Sequence, residues 1–81
     1  MSKLAYKLNF LSTESIEGQA DRLVLVDEKN VLTVRFGHAP LISVVKNGTL
    51  SVVIDGATTS YSFGSGLVRV GAFGCTVTIL N

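Results

Sequence analysis

The chain has 81 residues, 47% of them hydrophobic and 16% charged, with a formal net charge of +1. That length has room for one thin core, burying roughly 60–65% of the unfolded surface, so residues 1–81 read as a single domain. The hydrophobic content excludes disorder, and seven Lys/Arg against six Asp/Glu exclude the clustered basic surface of a nucleic-acid binder.

Taken in order, the elements are strands. Val, Ile and Thr supply 22 residues, and these suit the pleated, half-buried surface of a sheet. From Leu4 to Leu11 the pattern has period two, with Leu4, Tyr6, Leu8 and Phe10 inward and Ala5, Lys7 and Asn9 outward. Ser12-Thr13-Glu14-Ser15 reads as a polar turn. Ile16 to Val26 is strand-like, with Gly18 a bulge or a close approach and Leu23 and Leu25 on one face. Asp27-Glu28-Lys29-Asn30 is a charged loop. Leu32, Val34 and Phe36 then face inward, Thr33 and Arg35 outward.

Gly37-His38-Ala39-Pro40-Leu41 holds the only proline and the only histidine. Gly37 tolerates a backbone twist that a Cβ resists, while Pro40 fixes its own φ and pushes Ala39 toward extension. The result is a stiff corner between two strands, suited to touching another molecule. Leu41 to Lys46 is the next strand. Asn47-Gly48 and Asp55-Gly56 are both strong hairpin signals. Between them Leu50, Val52 and Ile54 alternate with Thr49 and Ser51. Thr59, Tyr61 and Phe63 continue the pattern. Gly64-Ser65-Gly66 turns or bulges into Leu67 to Val70. Gly71-Ala72-Phe73-Gly74 is a loose turn before Cys75, Val77 and Ile79. About eight to ten short, mostly antiparallel strands of this kind make an all-β fold, a small β-sandwich or flattened barrel.

Chemistry is sparse. His38 has no nucleophile and orienting acid beside it in sequence, which favours a contact role over a general base. One histidine and one cysteine do not make a structural zinc site. Gly64-Ser65-Gly66 lacks the third glycine and the following helix of a phosphate-binding turn. Asp27 and Glu28 are adjacent, so an extended chain points them apart and a solvated loop is the plainer reading. A single cysteine, Cys75, fits a reducing compartment and a buried, inert thiol. The apolar runs are far shorter than the ~20 residues of a membrane span, and Met1-Ser2-Lys3 leads into alternation instead of a signal sequence. The expectation is a non-enzyme on the cytosolic side. It has no cofactor, no metal and no small-molecule substrate, binds no nucleic acid, and inserts no segment of its own into a membrane.

Gly37-His38-Ala39-Pro40-Leu41, followed by Ile42 and Lys46-x-Gly48, resembles the epsilon subunit of F-type ATP synthase. The likeness continues in Tyr6-Lys7-Leu8 with Ser12, in Asp21-Arg22-Leu23, and in Ser65-Gly66-Leu67-Val68-x-Val70 before a Thr-Val-rich strand. It covers nearly the whole chain in order. The resemblance implies a ten-stranded β-sandwich in the central stalk, clamped to the gamma subunit and standing on the polar loops of the c-ring. It would turn with them and help couple ion flow to nucleotide chemistry performed elsewhere; the implied place is the cytoplasmic face of the bacterial inner membrane, with a plastid thylakoid as the lesser alternative. The implied interface is Gly37, His38, Ala39, Pro40 and Leu41. Asn30-Val31-Leu32-Thr33-Val34-Arg35-Phe36 lacks the glycines, acidic residue and proline that family members place before the corner. The acidic contact that the resemblance implies with the c-ring is then expected at Asp27 or Glu28, in the loop with Lys29 and Asn30, or is lost. Lys46-Asn47-Gly48 stands for Lys-Pro-Gly and is expected to keep a turn of another type. Family members commonly continue into a C-terminal pair of helices. With its last residue at Asn81, this sequence is expected to carry neither an inhibitory arm nor a nucleotide site. The alternatives are a free-standing β-sandwich that binds a ligand or serves as an adaptor and, more remotely, an enzyme built on His38.

Overall fold

A computed structural model describes residues 3–12, 14–72 and 74–80. The expectations placed on Met1, Ser2, Thr13, Phe73 and Asn81 lie outside these. Seven strands follow one another: β1 (Leu4–Asn9), β2 (Ser15–Ala20), β3 (Arg22–Val26), β4 (Val31–Val34), β5 (Leu41–Ile54), β6 (Ala57–Val70) and β7 (Gly74–Ile79). They form one mixed sheet in the order β2-β1-β7-β6-β5-β3-β4. All neighbours are antiparallel except β1 and β7, which run parallel and bring the two ends of the chain together.

The sheet doubles over at the middle of its two long strands. Leu41 to Lys46 of β5 pairs only with β6, whereas Thr49 to Val53 also pairs with β3. Likewise β6 meets β7 only along Gly66 to Val70. Each long strand therefore serves both layers of an open sandwich, in agreement with the all-β expectation. Leu4, Leu8, Leu23, Leu25, Leu50, Val68 and Val77 are almost wholly buried in one cluster between the layers. Burying each such side chain contributes about 1.5–3 kcal/mol. Tyr6 and Phe10 pack against the cluster from its margin, with the Phe10 and Tyr61 rings tilted at 5.8 Å.

The strands that the sequence separates are fused here. Asp55-Gly56 is the hairpin turn its composition announces, with φ of 50° and 83° and Ile54 paired to Ala57. Asn47-Gly48 reverses nothing. Asn47 has φ 50°, but β5 runs on through it, and pairing with β6 keeps one register on both sides of the break. What changes is the face. Val45 is buried before the break and Leu50 and Val52 after it; Phe63 and then Gly66 and Val68 do the same on β6. Each strand spends one extra residue at the position the pairing skips, Asn47 on β5 and Gly64 on β6. Gly64-Ser65-Gly66 is accordingly a mid-strand bend and not a turn.

Three further corrections concern β2 to β4 and the turn beyond. Ile16 to Val26 is not one strand; it breaks at Asp21, whose N–H donates to the Val53 carbonyl at 2.8 Å. Gly18 forms no bulge: it pairs with Tyr6, whose ring lies 3.1–3.3 Å from where a Cβ would sit. Phe36 does not face inward. β4 ends at Val34, and Phe36 is 45% exposed in the turn beyond it.

Candidate functional site

The corner begins as a turn closed by the His38 N–H donating to the Arg35 carbonyl at 3.0 Å. Gly37 sits at φ 82° with nothing within 4 Å of a would-be Cβ. Positive φ at the third residue alone is the signature of a type II turn, which explains both the glycine and the expulsion of Phe36 from the strand pattern. The His38 Nδ1 lies 2.7 Å from the Ala39 carbonyl oxygen, so the ring is folded back on its own backbone. Ala39 and Pro40 are exposed, and Leu41 turns half inward against the core. The corner is a shaped projection held by local contacts.

The Asp27–Asn30 loop lies at the other end of β4, roughly 13 Å away by the rise of four residues. Asp27 Oδ1 accepts the N–H groups of Lys29 and Asn30 at 2.9 and 2.8 Å. Those donors, joined more weakly by the Lys46 N–H, hold its carboxyl below the usual range. Glu28 accepts a hydrogen bond from the Asn47 side chain. The loop is thereby tied to the break in β5, where a Cβ on Gly48 would fall 1.9 Å from the Val26 carbonyl oxygen. Lys29 and Asn30 are exposed.

The nine residues singled out from sequence thus form two separate surfaces. Only Asp27, Asn30 and Leu41 meet, in a cleft of about 290 Å³ between β5 and the start of β4. Sequence reading missed the exposed apolar stripe beside that cleft. Ile42 and Val44 are 70% and 62% exposed, and Leu67 lies directly across from Val44. Period-two counting treats such residues as one side of a strand; it does not say that the side is uncovered. It also missed Lys3 Nζ, which donates to Asp21 at 2.5 Å and Asp55 at 2.8 Å. No group of three or more His, Cys, Asp or Glu gathers as metal ligands among the described residues. Burial pushes the Cys75 thiol up to about 11. No helix among the described residues is long and apolar enough to cross a membrane.

What these elements define is a small all-β module, an open sandwich whose distinctive surfaces are a proline corner, a carboxylate-capped loop and an uncovered strand edge. In sequence it is similar to ATP synthase epsilon chains, the family that its corner motif resembles. It is 30% identical over 71 residues to that of Myxococcus xanthus, covering 88% of this chain and 52% of the relative. It is 32% identical over 76 residues to that of Brucella canis, covering 90% and 56%. The chain thus spans about half the length of these curated relatives. No family model matches it. The fold is similar to a chain in the Euglena gracilis mitochondrial ATP synthase structure (OSCP/F1/c-ring), with a TM-score of 0.88 at 15% identity, covering 100% of this chain and 52% of that one. It is similar also to a chain in the central stalk/c-ring structure of the Tetrahymena thermophila mitochondrial enzyme, with a TM-score of 0.77 at 16% identity, covering 99% and 65%.

Proposed function

We propose that this chain is a non-catalytic subunit of the central stalk of a rotary F-type ATP synthase. In this reading residues 1–81 form one β-sandwich domain that joins gamma to the c-ring and helps couple ion movement to ATP turnover. It acts peripherally, through the F1 complex, at the cytoplasmic face of a bacterial inner membrane. The observation that carries the reading is the similarity to epsilon chains over nearly the whole of this sequence. The exposed corner supports it, because Gly37, His38, Ala39 and Pro40 present a stiff surface without depending on a partner for their shape. Leu41 anchors that corner to the core. In this reading Asp27 or Glu28 supplies the acidic contact, with Lys29 and Asn30 completing the loop.

Co-purification with gamma and a detergent-solubilised c-ring tests this. The chain is expected to be retained with both, and failure to bind gamma under conditions where complete assemblies form overturns the reading. Pro40→Gly is expected to leave the fold intact, since Pro40 is exposed, while reducing c-ring recovery. Undiminished recovery of Pro40→Gly and of His38→Ala would remove the corner from the interface.

A further inference from the structure

The N-terminal half of β5 is a free sheet edge, and hydrogen-bond geometry says which groups are open along it. Ser65 pairs with Lys46 across the β5–β6 ladder, yet its carbonyl accepts the Leu80 N–H at 2.9 Å, on the β7 side. In an antiparallel ladder a residue's N–H and C=O point the same way, and the direction alternates along the strand. Ser65 and Lys46 are therefore a non-hydrogen-bonded pair, and Lys46 turns its backbone away from β6. Two and four residues back, Val44 and Ile42 do the same. On that side β3 begins pairing only at Thr49, and no other backbone bond reaches Ile42 or Val44 among the described residues. Two N–H and two C=O groups thus face outward, and the Asp27 carboxylate lies in the cleft beside them.

Beside this edge lies the cleft of about 290 Å³, lined by Leu25, Leu32, Leu41 and Val45 together with the polar Asp27, Asn30 and Ser43. Beyond it, the outer face carries Ile42, Val44 and Leu67 with two exposed cations, Lys46 and Arg69. No carboxylate occurs anywhere in residues 41–46, 65–70 or 74–79. An occupant must satisfy a row of backbone groups, fill on one side a cleft that is apolar along Leu25, Leu32, Leu41 and Val45 and already holds the Asp27 carboxylate, and meet positive charge on the other.

We propose that the Ile42–Val44 edge accepts an extended segment of a partner chain by strand addition, with apolar residues directed into the cleft and acidic ones toward Lys46 and Arg69. Main-chain hydrogen bonds supply the attachment, and the alternation supplies selectivity. The inference rests on this edge alone and stands whether or not the stalk assignment holds.

The test is titration of the ¹⁵N-labelled 81-residue chain with an eight-residue peptide alternating valine and glutamate. Shifts are expected to concentrate at residues 41–46, with amide exchange of Ile42 and Val44 slowed. A valine–lysine peptide is expected to bind at least about tenfold more weakly. Val44→Pro deletes one outward donor while sparing the β6 ladder, so a folded V44P that no longer binds supports the proposal. Should V44P not fold, protection of Ile42 and Val44 in the unmodified chain decides alone. Binding retained by a folded V44P, shifts centred on the β2 or β4 edge, equal binding of both peptides or an absence of binding each overturns it. Concentration-dependent protection of Ile42 and Val44 without peptide would assign the edge to a second copy instead.

Discussion

Gly48 lies so close beneath the end of β3 that a methyl group there would overlap the Val26 carbonyl oxygen and come within 2.9 Å of the Asp27 Cα. Neither neighbour is a flexible side-chain end, so relief requires moving the backbone. Gly48→Ala is expected to cost about 3 kcal/mol or more, or to prevent folding; a urea midpoint close to that of the parent would contradict this. Asn47 raises a different issue, conformation without crowding. Its φ of 50° is tolerated by asparagine and glycine and costs most other residues about 1–2 kcal/mol. Asn47→Ala is therefore expected to lose at least that much, since the bond to Glu28 goes with it. Asn47→Gly should lose less, and equal losses in equilibrium urea unfolding would refute the backbone explanation.

At the scale of elements, three segments far apart in sequence are joined by one ionic knot. Lys3 precedes β1, Asp21 separates β2 from β3, and Asp55 opens the β5–β6 turn, where its N–H donates to Asp21 Oδ2 at 2.8 Å. The bond from Lys3 and the Asp55 N–H hold the Asp21 carboxyl below its ordinary 3.8. A carboxyl depressed in the folded state adds stability above its unfolded value and loses it as pH falls through the folded one. Lys3 is raised above 10.5 by the same two carboxylates, so its share is present below that value and lost as pH rises beyond. Unfolding measured against pH should show stability declining below about pH 3.8. In Lys3→Met that decline should flatten and the parent's sensitivity to salt should diminish. An unaltered acid slope in Lys3→Met would show that the knot is decorative.

For the molecule as a whole, the parallel contact of β1 with β7 is decisive. Among the described residues β2 has no strand partner except β1, and β1 reaches the rest of the sheet only through β7. One layer therefore depends on joining residues near opposite ends of the chain. Leu8 is fully buried at this seam, opposite Val77, which is also fully buried. Leu8→Ala is expected to destabilise by about 2–5 kcal/mol. Chemical denaturation should show the loss as a shifted midpoint in a single transition; a separate early transition would mean that the two layers unfold independently.

Local chemistry was enough to read some of this from sequence. Alternation assigned the inward faces of β1 and β7, because a period of two is a property of the pleat itself. Asp55-Gly56 announced its turn, and Gly37 with Pro40 announced an exposed corner, since backbone preference acts within a few residues. Asn47-Gly48 carries the same local signal as Asp55-Gly56, yet it bends a strand instead of ending one. The Asp55-Gly56 hairpin had already committed residues 41–54 to the register of 57–70, and that long-range pairing overrode the local preference. Phe36 was misread because the turn at Gly37 takes it out of the strand period. Tertiary structure alone decided that Ile42 and Val44 stay uncovered, for a free edge is defined by the strand that is missing beside it. Residue pattern records which side chains favour burial; only the folded path records where a backbone donor is left without a neighbour.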